Sequence, residues 1–151
     1  MALVGSAHTL VLKRRLAAKP ARVFKAISRA EEMRHWMCPQ DFTVAATMAE
    51  LKIGGRFRIE MHSPDEEVFI VNGRYRVIDP PRRLVFTWEW EPEHTMAGVE
   101  TTVAIDLEAD GDETLLTMTH TGLPNEEERS SHEWGWTGAY EKLRELVERG
   151  E

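Results

Sequence analysis

Between Phe42 and Leu107 apolar side chains recur at every second position, and after Pro124 the period changes to three-and-four and holds to the end of the chain. A block of strands, each with one apolar face, is therefore followed by a single long helix that can cover it. Phe42, Val44, Ala46 and Met48, and then Phe57, Ile59 and Met61, are the apolar positions of the first two of these strands, while Arg56, Arg58, Glu60 and His62 point the other way. Ile53-Gly54-Gly55 supplies the tight reversal between them. In residues 68–77 one face carries Phe69, Val71, Tyr75 and Val77, and Asp79-Pro80-Pro81 ends the strand. Leu84, Phe86, Trp88 and Trp90 make the bulkiest single face of the chain. Val99, Thr101, Val103, Ile105 and Leu107 share the next strand, and Leu116, Met118 and His120 the last, joined across Ala109-Asp110-Gly111-Asp112.

The segment before this block is mixed. Residues 9–16 alternate as a strand, Pro20 suits a helix start, and Val23, Phe24 and Ile27 place one short helix over 21–28. A second short helix is expected over 30–37, with Glu31 and Glu32 at its start and Pro39 beyond its end. At the other end Asn125 is a candidate N-cap, and Glu126, Glu127 and Glu128 complement the helix dipole. From there His132, Trp136, Ala139, Tyr140, Leu143, Leu146 and Val147 share one helical face. The expected fold class is α+β, a helix-grip. A curved antiparallel sheet of about six to seven strands wraps around the long C-terminal helix, and two short helices follow the first strand. One domain over 8–150 accounts for the pattern, preceded by a short tail, 1–7.

With 26 acidic against 19 basic residues, the chain has no general attraction for phosphate backbones, so nucleic acid is not an expected partner. No apolar run is long enough to predict a membrane span. The single cysteine, Cys38, forms no internal disulfide, and the first residues lack the basic and apolar regions of a secretory signal, which points to the cytoplasm.

Three patterns carry a family resemblance: Pro20-Ala21-Arg22-Val23-Phe24-Lys25-Ala26-Ile27 leading to Trp36; Gly54-Gly55-Arg56-Phe57 with Gly73-Arg74-Tyr75 and Pro81-Arg82-Arg83-Leu84-Val85-Phe86-Thr87-Trp88; and His120-Thr121-Gly122-Leu123-Pro124 with His132 and Gly135-Trp136. In this order the chain resembles the START-like helix-grip (SRPBCC) superfamily and, within it, proteins related to the activator of the ninety-kilodalton heat-shock protein ATPase. The resemblance implies a deep pocket between the long helix and the concave sheet face, used across the superfamily for lipids, polyketides and other apolar molecules. It also implies a chaperone as a second class of partner, and pairing into homodimers through sheet edges or surface strands.

The chemical candidates are few. His62, His94, His120 and His132 show no i, i+4 metal-ligand spacing, so neither a metal nor another cofactor is expected. No nucleophile motif such as Gly-x-Ser-x-Gly occurs, and the carboxylate runs Asp65–Glu67 and Glu126–Glu128 read as solvated charge. His120 and His132 both fall on inward faces, where they can meet as satisfied structural histidines or hold a polar ligand group. The aromatic and methionine set is the most informative. Trp36, Met48, Met61, Phe69, Tyr75, Trp88, Trp90, Met96, Met118, His120, His132, Trp136 and Tyr140 are the candidate ligand-binding residues, with core packing as the alternative role of the same side chains. The opening is expected near Trp90, Met96 and Trp136, and Tyr75, His120, Tyr140 or Arg58 are candidates to orient a ligand. The expected function is binding of a small hydrophobic or amphipathic molecule without defined catalysis. A surface-acting chaperone regulator is the alternative, and a cyclase or hydrolase of an apolar substrate the third.

Overall fold

The computed structural model describes residues 8–92 and 96–149; the tail 1–7, His94 and position 150 lie outside the described residues. The elements follow in the order β1 (His8–Leu16), α1 (Pro20–Ser28), α2 (Ala30–Met33), β2 (Thr43–Ala49), β3 (Arg56–His62), β4 (Val68–Asp79), β5 (Arg83–Trp90), β6 (Thr101–Asp110), β7 (Glu113–Leu123) and α3 (Glu126–Val147). All seven strands form one antiparallel sheet in the order β1-β7-β6-β5-β4-β3-β2. The first strand pairs with the last, so α1 and α2 carry the chain from one sheet edge to the other. This is the α+β antiparallel arrangement that the periodicity predicts, in the helix-grip form that the family resemblance implies.

Local chemistry explains the joints. Pro20 stands in the first turn of α1, where its missing N–H costs nothing. Gly54, at φ +81°, turns the chain from β2 into β3, and its amide donates to the Tyr75 carbonyl at 2.8 Å, which ties the turn to β4. Asn125 caps α3 by accepting from the Glu128 amide at 2.8 Å, with three glutamates in the first turn. The helix buries His132, Trp136, Ala139, Tyr140 and Leu143 against the concave sheet face. There Trp136 meets Trp88 at 4.8 Å and His132 meets Trp90, and all four inward residues of β5, Leu84, Phe86, Trp88 and Trp90, are buried.

Four expectations need correction. Met48 is 44 % exposed on the outer face, because a bulge between Val44 and Ala46 shifts the register of β2 on β3 and reverses the phase of every later residue in the strand. A second bulge, between Tyr75 and Val77, turns Val77 outward. The helix expected over 30–37 is α-helical only to Met33, although the Met37 amide still donates to the Met33 carbonyl at 3.0 Å and the final turn stays wound. Val99 lies ahead of the strand its spacing predicts for it, since β6 begins at Thr101.

Candidate functional site

A cavity of about 210 Å³ lies between α3 and the β3–β5 part of the sheet. Trp88 and Trp90 of β5, with Met61 of β3 and Phe69 of β4, form its sheet wall. They converge because each sits at an inward position of its own strand. The helix wall is Trp136 and Ala139, with His132 one turn earlier. The third wall comes from the connection between α2 and β2, through Met37, Cys38, Pro39 and Phe42. Trp134 stands at the rim, 54 % exposed and edge-on to Phe42 at 6.3 Å, and Phe42 in turn leans on Phe69 at 5.6 Å.

The polar atoms of these walls are mostly tied to one another. The Trp90 indole N–H donates to His132 Nε2 at 3.0 Å, and His132 Nδ1–H donates to the Glu128 carbonyl at 2.8 Å. Behind them the Trp136 N–H donates to His120 Nδ1 at 3.2 Å. His120 Nε2–H then donates to Thr101 Oγ1 at 2.7 Å, and that hydroxyl donates to the Trp88 carbonyl at 2.9 Å. Each imidazole is therefore a neutral tautomer fixed by its partners. Burial, and then the charge His132 would carry, push His120 down to about 3; burial lowers His132 as well, opposed by its bond to the Glu128 carbonyl. The two rings stand perpendicular with centroids 5.2 Å apart. Neither histidine is poised for acid–base work near neutral pH.

The α2–β2 connection is strapped to the helix. Lys142 Nζ donates to the carbonyls of Pro39 at 2.7 Å and Phe42 at 3.1 Å, and lies 3.0 Å from Cys38 Sγ. One turn earlier Gly138 lets the chain come so close that a Cβ there would stand 2.5 Å from the Gln40 nitrogen. The cavity thus has a wall made of loop, held by one ammonium and one missing side chain.

A family model described as "Activator of Hsp90 ATPase homolog 1-like protein" matches residues 17–148. The chain belongs to the AHSA1 family. Solved structures share its fold. Protein CV1439 from Chromobacterium violaceum superposes with a TM-score of 0.83 at 23% identity, covering 93% of this chain and 96% of that one. The AHSA1 (SPO3351) protein from Silicibacter pomeroyi reaches 0.82 at 27% identity, over 93% and 97%. CalU16 from Micromonospora echinospora reaches 0.72 at 22% identity, over 95% and 78%. No match was found among curated proteins.

In this AHSA1-family chain the structure gathers Met61, Phe69, Trp88, Trp90, His132 and Trp136 around the cavity. Trp36 and Tyr140 lie behind them, in a stack that runs from Trp136 to Tyr140 at 5.5 Å and on to Trp36 at 5.8 Å. Tyr75 packs deeper, against Phe57 and Phe86, and Met118 and His120 are fully buried. Met48 faces outward and Met96 is buried at 1 % exposure, so the rim is Trp134 and Phe42 rather than the surroundings of Met96. Arg58 sits on the outer face, where Nε donates to Glu91 at 3.0 Å. Trp134 and the loop wall escape a periodicity argument, because Trp134 lies on the polar flank of α3. The usable signal is a bulky aromatic beside Gly135 and Gly138, small residues that mark where another segment crosses the helix. No described helix is long and apolar enough to cross a membrane.

Proposed function

We propose that this chain binds a small hydrophobic or amphipathic molecule in the cavity between its sheet and its last helix. The observation that carries this reading is the character of the wall: four tryptophans, two phenylalanines and two methionines surround one space, and the indoles of Trp90 and Trp136 have already spent their N–H groups on histidines. Such a surface attracts apolar molecules by burial. Binding without turnover fits best, because His120 and His132 are both engaged as neutral structural partners. A cyclase or hydrolase is the weaker reading for the same reason.

Native mass spectrometry of freshly purified protein tests the proposal. A small molecule carried through purification, extracted and identified, supports it; protein that is always empty and shows no tryptophan fluorescence change against a panel of lipids and polyketides sinks it. The family description supplies the second reading, a regulator of a chaperone ATPase that works through its surface. That reading requires direct binding to the purified chaperone and a change in its ATPase rate.

A further inference from the structure

In a chain with 26 acidic and 19 basic residues, a group of cations gathers at one end of β3 where no acid meets it. Lys52 in the β2–β3 turn, Arg56 at the start of β3, and Arg74 and Arg76 on β4 are all exposed, and among the described residues no carboxylate lies within ion-pair distance of any of them. Their neighbours are paired. Arg58 meets Glu91 at 3.0 Å, Arg82 meets Asp79 at 3.2 Å and Arg83 meets Asp106 at 2.6 Å. Glu50, the acid of the turn itself, has its carboxylate on the Arg56 amide at 3.4 Å. Arg56 and Arg74 are register partners across β3 and β4, and the residues that follow them, Phe57 and Tyr75, are buried. Like charges set directly opposite each other cost stability, and nothing within the fold offsets that cost.

The same turn shows apolar side chains to solvent. Leu51 is 42 % exposed and Ile53 65 %, one on each side of Lys52. Its backbone is largely closed. The amides of Glu50, Lys52, Gly54 and Gly55 donate to carbonyls of Arg56, Glu50, Tyr75 and Lys52, each at 2.8 Å, and the Gly54 carbonyl accepts from Arg74 Nη1 at 3.1 Å. Such a turn can leave water with few backbone groups unmet, and it offers little to a strand added alongside. An acidic polypeptide would answer the arginines alone. An anionic bilayer answers both features, with headgroup phosphates for the cations and the acyl boundary for Leu51 and Ile53.

We propose that the turn over 50–55, with Arg56, Arg74 and Arg76, is a docking surface for an anionic lipid bilayer, and that Leu51 and Ile53 enter its headgroup region. The surface is separate from the cavity, which meets β3 at Met61, towards the other end of the same strand. Loss of either one leaves the other standing.

The test is co-sedimentation of the full chain with vesicles of phosphatidylcholine alone or with about one third phosphatidylglycerol. Binding to the anionic vesicles should be at least roughly tenfold tighter, and should be released when salt rises from about 0.1 M to about 0.5 M. Two variants locate the contact. Arg56→Gln with Arg76→Gln should lower binding roughly tenfold, and Ile53→Ser severalfold, each with an unchanged circular dichroism spectrum and thermal midpoint. Arg74 is left in place because it ties the turn. The wild-type comparison between the two vesicle types needs no variant to fold. Equal binding to both vesicles, or to neither, overturns the inference, as does anionic-vesicle binding that both variants retain. Soluble polyglutamate held as tightly as the anionic vesicles also overturns it, and assigns the arginines to an acidic protein instead.

Discussion

Trp136 of the last helix donates its indole N–H to His120 Nδ1 at 3.2 Å, so the helix and β7 are joined by a bond that requires the imidazole to be neutral. Protonation would turn that acceptor into a donor facing a donor. Burial and the neighbouring His132 lower His120 from 6.5 to about 3, and burial lowers His132 in the same direction.

Stability should therefore fall on acidification. The unfolded chain takes up protons near 6.5 while the folded chain resists until about 3, so the contribution is complete above the unfolded value and is lost as pH drops through that window. Urea denaturation at about pH 7.5 and about pH 5 should show a lower midpoint at the acid end, each histidine adding up to about 1.4 kcal/mol per pH unit. His120→Asn should be less stable at neutral pH but flatter in its pH response. An unchanged slope in that variant would count against this account.

The two glycines of α3 should respond in opposite ways to alanine. A Cβ at Gly135 meets only Pro39 Cγ at 3.5 Å, an ordinary contact, whereas one at Gly138 meets the Gln40 backbone at 2.5 Å. Alanine inside a helix normally gains up to about 1 kcal/mol over glycine, so Gly135→Ala should raise the thermal midpoint. Gly138→Ala should lower stability by about 1–3 kcal/mol, because the crossing loop has to move. If both variants gain, the loop does not sit against the helix as described.

The architecture was legible because burial on one face imposes its own period. Leu84, Phe86, Trp88 and Trp90 read as one inward face and are one, and Asn125 reads as a cap and is one. Met48 and Val77 depart from the alternation because a β-bulge reverses phase without a composition of its own. The site was less legible, for a different reason. The bond between His120 and Trp136, and the seating of residues 37–42 on α3, are contacts between segments distant in sequence. Periodicity says which face a residue occupies, and only tertiary packing says whom it meets there.

Lys142 should matter for the loop wall more than for the helix that carries it. Its ammonium bridges the Pro39 and Phe42 carbonyls at 2.7 and 3.1 Å, and bonds to a charged group are worth about 1.5–3 kcal/mol. Lys142→Met keeps the aliphatic stem and removes the donors. Hydrogen exchange should accelerate at the Phe42 amide, which donates to Pro39, while the amides of β6 and β7 stay protected until global unfolding. Faster exchange spread evenly over the whole sheet would show instead that the lysine only supports overall stability.

Trp134 separates access from stability. It is 54 % exposed and its chief packing partner is the edge of Phe42, so Trp134→Ala should change unfolding free energy by no more than about 1 kcal/mol. The same change removes the rim of the cavity between α3 and the loop wall. A bound neutral probe such as 1-indanone should then enter and leave faster, with both rate constants rising and the affinity moving less than either. Stopped-flow exchange of the probe from wild type and variant reads this directly. Rates that stay unchanged would place the route to the cavity elsewhere, and an affinity that collapses with them would make Trp134 part of the binding surface instead of its doorway.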